Sequence, residues 1–401
     1  MRVNLKYGRE LLEFELRDSS LVCVQRQPEA PPLADPAGAV RDALEHPLGF
    51  PALRRALTPD DHVAVIVDER LPRLVELIVP VLEHIEQAGV APSAITLLCP
   101  PSGSGQEWLE QLPDAFQDVH CEVHDPSNRK QLAYLATMRR GRRLYLNRTA
   151  VDADQLVVLS GRGYDPLLGY SGAEGSLYPA LSDEPTLQEL ATQLTIDAPA
   201  AVPWPVRQEA IEAAWLLGAP FFLQIIPGSA DDMVHVVGGP ADTSSEGQRL
   251  LDARWKLTVK EPAATVVAAI AGDPVRHEFS DLARALACAA RVVRPDGRII
   301  VLSTASPKLG PADELLRQAE TPEQALTLLR KHGPPNTAAA FLWASAASRA
   351  KIYLLGGIPA ETVEEMFAVP LEHAGQVTRM LGADGTYLFL QDAHNALAIV
   401  A

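Results

Sequence analysis

The chain has 401 residues, longer than one typical core, so two domains are expected. Apolar residues make up 47% and charged residues 21%, a globular balance and not a disordered one. A formal net charge of −16 argues against nucleic acid, whose backbone needs clustered Lys and Arg, and no apolar run reaches the ~18 residues of a membrane span.

In chain order, KYGRELLEFEL reads as two short strands around a Tyr-Gly turn, and a Pro-rich connector, PEAPPLADP, follows. The helical spacing of DPAGAVRDALEHPLGFPALRRAL breaks at Pro47 and Pro51, which predicts two helical pieces. HVAVIVD, His62 to Asp68, is a continuous apolar strand of the kind buried on both faces of a parallel sheet. A helix at LPRLVELIVPVLEHIEQAG, a strand at AITLLCP, a helix at QEWLEQL and a strand at VHCEVHD come next. RRLYLNR reads as an edge or hairpin strand, and DQLVVLSG as another buried strand. A helix at VRQEAIEAAWLLG, strands at PFFLQIIPG and MVHVVGG and a helix at EGQRLLDARWKL complete this series. A second strand–helix series opens at ATVVAAIAGDP and runs to AKIYLLGG. Repeated strand-then-helix order predicts an α/β protein with mostly parallel sheets flanked by helices. The expected division is 1–258 for the first domain, rejoined by 375–401, and 262–372 for the second, with a cleft between them.

The first residues carry no apolar h-region, so no secretory signal is expected. Cys23, Cys99, Cys121 and Cys288 are scattered without Cys-x-x-Cys spacing and read as reduced thiols. A cytoplasmic protein is the expectation.

Ligands of α/β sheets bind at the carboxyl ends of parallel strands. Three loops qualify: DERLPR, PPSGSG and GRGYDPLLGYSGAEG. PPSGSG would offer amide N–H groups to an anion, aided by the N-terminus of the QEWLEQL helix, or it is a plain Gly-rich turn. MRRGRRLYLNR is basic enough to meet a phosphate, but in an acidic chain it reads first as a solvated hairpin. His124 reads as a satisfied structural histidine, and His277 lies just before the EFSDLARAL helix. No zinc spacing, P-loop or Gly-x-Ser-x-Gly elbow occurs.

The order of segments resembles the nickel-dependent lactate racemase, or LarA-like, family. The opening Tyr-Gly hairpin, the Pro-broken helical segment, HVAVIVDERLPR, HDPSNRKQLAYLATMRRGRRLYLNRTAVDADQLVVL and GYSGAEGSLYPALS each resemble a family stretch in turn, so the likeness runs through nearly the whole chain. The resemblance implies inversion of a 2-hydroxy acid on a nickel-pincer nucleotide tethered to a Lys, with one His on nickel and two His as acid and base. Aligned without gaps, the tethering Lys falls on Gly175, the nickel His near Ala191, and the two catalytic His on Asp165 and Ser104. The cofactor-binding positions fall on Asp68, Arg70, Gly169, Tyr170, Ser171, Gly172 and Glu174, and the substrate-binding ones on Arg284 and Trp343.

No cofactor or metal site is therefore assigned, because the Lys and His anchors of the nickel-pincer nucleotide are replaced. Glu174 with Asp165 would make an acidic site for a cation or amine, or Glu174 faces water, the first choice since Glu is rarely buried unpaired. Arg284 implies a small anionic ligand. Three readings stay open: an enzyme of related substrate class using Asp165, Glu174, Ser104 and Arg284; a non-catalytic relative that binds a ligand or a partner protein; or a racemase holding the nickel cofactor non-covalently through His124, His277 or Cys99. Substrate, oligomeric state and partners are not legible.

Overall fold

A computed structural model describes residues 2–15, 21–25, 31–101, 105–199, 204–334, 336–381 and 385–401. Among them the chain forms two six-stranded sheets flanked by helices, the α/β class expected. The first sheet runs, in spatial order, Met233–Gly239, Phe221–Pro227, Gln155–Gly161, Val63–Val67, Ile95–Cys99 and His120–Val123. Only its Met233–Gly239 edge is antiparallel. Val63–Val67 lies at its centre with all five side chains buried, which is why VAVIV carries no alternation. The Leu74–Glu86 helix covers it with Leu74, Leu77, Ile78, Val81, Leu82 and Ile85, an apolar stripe at helical spacing.

The second sheet runs Ala368–Leu371, Lys351–Leu355, Val293–Leu302, Ala263–Ala269, Tyr387–Leu390 and Leu21–Val24, all parallel. The segment 375–401, expected to rejoin the first domain, divides: Tyr387–Leu390 joins the second sheet, while Leu397–Val400 pairs with Lys256–Val259 at the end of the expected first domain. Tyr387–Leu390 pairs with Ala263–Ala269 on one side and with Leu21–Val24 on the other. The opening hairpin, Arg2–Tyr7 with Glu10–Glu15, also goes to this sheet, and its Val3, Leu5, Tyr7 and Phe14 pack on Val267, Ile300 and Phe389. The cause is topological. The next three strands after Ala263–Ala269 are laid down on one side only, so its other edge and one face are left for chain from the two ends. No helix among the described residues is long and apolar enough to cross a membrane.

Candidate functional site

Each sheet has one place where the direction of strand addition reverses. In the first sheet it lies between Val63–Val67 and Gln155–Gly161; in the second, between Ala263–Ala269 and Tyr387–Leu390. At such a point the two exiting loops diverge and leave a crevice at the carboxyl ends of the strands. Both crevices are built alike. Asp68, just past Val67, accepts from the Gly161 N–H at 3.2 Å. Asp392, just past the other switch strand, accepts from the Ala271 N–H at 3.1 Å. The other Asp392 oxygen accepts from Ser229 Oγ at 2.6 Å, tying the exit of Phe221–Pro227 to the second unit. The Gly8 turn of the opening hairpin seals this region through Gly8 N–H to Ile270 O at 2.7 Å and Gly272 N–H to Gly8 O at 3.1 Å.

The two switch points face one another across a cleft of about 140 Å³, lined by Asp68, Arg70 and Ser171 from the first unit and His277, Arg284 and His394 from the second. An enclosed cavity of about 150 Å³ holds a benzene-sized molecule, so the part of a ligand enclosed in this open cleft is about six non-hydrogen atoms. Its arginines are partly matched by carboxylates. Arg70 lies 3.7 Å from Asp68. Arg276 donates to Asp231 at 3.2 Å and to Arg70 O at 2.8 Å. Arg284 pairs with Asp281 one turn earlier on the Phe279–Ala290 helix. Burial pushes the Asp281 carboxyl up, but Arg284, His394 and Arg70 outweigh it and hold Asp281 below the usual carboxylate range. Burial dominates at His394 and pulls it down to about 4, against Asp281 and Asp392, so this imidazole is neutral at pH 7.

The loop after Gln155–Gly161 folds over the first switch point. Gly163–Asp165 pairs with Gly169–Ser171 in a small hairpin, followed by a 3₁₀ turn at Ala173–Ser176. Gly172 sits at φ +76, and a Cβ there would lie 2.3 Å from Gly161 O. Gly172→Ala is therefore expected to lower stability by about 1–3 kcal/mol from backbone strain alone. An unchanged urea midpoint would show that the loop is free to move away from the strand end. Ala173 N–H donates to Ser160 Oγ at 2.9 Å, which fixes the turn to the same strand. At Gly175 a Cβ would lie 2.7 Å from Leu168 Cδ1, so an apolar side chain occupies the space a longer residue would enter.

Other positions singled out from sequence land as follows. Asp165 does not line the cleft; its Oδ1 accepts from Leu167 N–H and Leu168 N–H, both at 2.8 Å, as the cap of its own turn. Burial raises its carboxyl against those bonds and against Arg284 and Arg70. Glu174 is 8% exposed and does not face water. The charge beside it is Arg162, itself brought down to about 10 by burial while Glu174 opposes the shift. Asp165 caps its own turn and Glu174 is buried beside Arg162, and no cluster of acidic side chains forms from them among the described residues. Tyr170 is held by Asp252 at 2.9 Å, with Arg207 over its ring, and Gly169 abuts the Trp204 indole. Trp343 does not line the cleft. It is fully buried, donates from Nε1 to Met366 O at 2.6 Å, and stacks on Phe279 with ring centroids 5.0 Å apart. Ala191 is packed in the second unit's core. Ser104 lies outside the described residues. The QEWLEQL segment is only a 3₁₀ turn, Glu107–Gln111, so it supplies no helix N-terminus for an anion.

His124 has both ring nitrogens engaged, Nε2 with Ser182 O at 2.9 Å and Nδ1 with Asn147 Nδ2 at 3.4 Å. The Cys99 thiol is pushed up by its bond with Cys121 and by burial. No trio of metal-ligating side chains assembles among the described residues. The arginine-rich segment is a hairpin, Leu132–Thr137 with Arg143–Asn147, and Arg142 is committed to Glu189 and Glu209. His394 is the residue that the sequence left unmarked. Its signal was its position, four residues past an apolar strand at a carboxyl-end loop.

A cleft between two α/β units, walled by the switch point of each, is the kind of place where α/β proteins hold small ligands. Residues 7–201 match the family of the lactate racemase N-terminal domain. The lactate racemase of Thermoanaerobacterium thermosaccharolyticum is 20% identical over 399 residues, spanning 94% of this chain and 93% of that protein. The structure of the lactate racemase apoprotein from that organism superposes with a TM-score of 0.84 at 18% identity, covering 99% of this chain and 100% of that one. A Thermotoga maritima protein superposes with a TM-score of 0.70 at 13% identity, covering 92% and 99%. The chain is thus similar to the LarA-like lactate racemases along nearly its whole length, with the match to the family's N-terminal domain confined to residues 7–201.

Proposed function

We propose that this chain is a lactate-racemase-like protein whose cleft takes a small carboxylate of the 2-hydroxy-acid class and which does not racemise lactate by the family mechanism. The observation that carries this is Gly175. The position aligned with the tethering Lys has no side chain, and Leu168 stands where one would extend. A covalent tether needs an amine nucleophile at that point. The buried Ala191, in the place of the nickel His, supplies no donor either. The residues present do not fit the nickel-pincer nucleotide, and no step is routed through it. What they do fit is an anion. Arg284 reaches the cleft with one guanidinium edge on Asp281 and its Nε buried without a partner. No disulfide joins any of the four cysteines, which supports a reducing, cytoplasmic setting.

Protein co-expressed with the family's cofactor-synthesis enzymes is expected to show unmodified intact mass and no nickel. A mass increment or stoichiometric nickel would overturn the reading of Gly175 and Ala191.

A further inference from the structure

Unpartnered buried polar atoms are costly, so those that a protein retains call for an explanation. Four of them belong to residues that line this one cleft: Arg162 Nε from the first unit, and His277 Nδ1, His394 Nδ1 and Arg284 Nε, which the second unit brings together. The two histidines are 7% and 9% exposed, with ring centroids 5.6 Å apart and planes at 60°. They come from the two loops that diverge at the second sheet's switch point. His277 is held by the short turn Pro274–Arg276 ahead of the Phe279–Ala290 helix, and His394 by the turn in which Asn395 N–H donates to Asp392 O at 2.9 Å.

The three atoms of the second unit differ in what they lack. A guanidinium N–H can only donate, and its best partner is a carboxylate oxygen. Each neutral imidazole has one nitrogen that donates and one that accepts. A hydroxyl does both, so it suits whichever tautomers the two rings adopt. A carboxylate cannot donate and would leave any accepting nitrogen unmatched. A carboxylate and a hydroxyl on adjacent carbons, within about six non-hydrogen atoms, answer all three.

We propose that His277 and His394 form the hydroxyl-recognising pair of this cleft, with Arg284 holding the carboxylate of the same 2-hydroxy acid. The proposal rests on the reading above that the cleft takes such an acid, and it assigns the hydroxyl to the second unit and not to the loops aligned with the family's acid and base.

The test is calorimetric binding to the full chain of two matched pairs that differ only by the hydroxyl: D- and L-lactate against propionate, and glycolate against acetate. At least one hydroxy acid is expected to bind tenfold or more tighter than its partner, as befits hydrogen bonds within an ionic site. In His277→Phe and His394→Phe, which keep ring volume, the preference is expected to fall to twofold or less. Nitrogen-15 NMR of the histidines in the unmodified protein gives a readout independent of the variants' folding: both Nδ1 signals are expected to move with the hydroxy acid and stay with its partner. Equal binding of the members of each pair overturns the histidine assignment and leaves the carboxylate cleft standing. No binding of any of the five overturns both.

Discussion

Trp343→Ala is expected to destabilise the protein by about 3–5 kcal/mol, the range for removing a large aromatic side chain from a packed core. The indole is fully buried, stacks on Phe279 and donates to Met366 O, so its removal opens a cavity and strands a carbonyl. Phe279 is the first residue of the helix that carries Asp281 and Arg284. The tryptophan therefore acts on the cleft only through the seating of that helix. Trp343→Phe is expected to restore most of the lost stability, since the stacked ring remains. Chemical denaturation decides the matter. A Trp343→Ala protein with an unmoved midpoint but lost ligand binding would return this residue to the ligand.

Acidification from pH 7 to pH 4 is expected to cost stability, with about 3 kcal/mol of the loss belonging to His394. The sign follows from burial. His394 titrates near 6.5 in the unfolded chain and is pulled down to about 4 in the folded protein. Between those values the unfolded state binds the extra proton, so stability is full above about 6.5 and falls as pH drops toward 4. Asp281 and Asp392 favour the charged ring, while Arg284 and His277 oppose it together with desolvation. Below this window Asp281 takes over, because its depressed carboxyl loses stability as pH falls through its folded value. His84 and His124 are also lowered by burial and steepen the same region. The His394 share is thus the difference between the unmodified protein and His394→Asn, read as urea midpoints at pH 7, 5.5 and 4. Parallel curves for the two proteins would show that the ring is not desolvated as described.

Most of the fold was legible because its signals are local. The VAVIV run announces a strand buried on both faces, and the stripe from Leu74 to Ile85 announces its covering helix. Three of the site positions were legible for a related reason. Asp68, Arg70 and Ser171 lie in loops at the carboxyl ends of first-sheet strands, and they line the cleft. The same rule applied to the second sheet would have marked the loops holding His277 and His394. Glu174 was misread because an average preference for exposure says nothing of a particular neighbour, here Arg162. The depth of Trp343 was not legible because an aligned aromatic carries no depth: core and cleft both select a large ring.

The sequence by itself determined the α/β class, the strand–helix order, the family likeness and the absence of an amine at Gly175, since each is written in residue type or short-range spacing. Tertiary structure decided where the chain ends go, because the free edge of Ala263–Ala269 accepts strands without regard to their distance along the chain. It also decided which polar atoms share a cleft. His277 and His394 stand 117 residues apart in sequence, and only the pairing of Ala263–Ala269 with Tyr387–Leu390 sets their rings 5.6 Å apart.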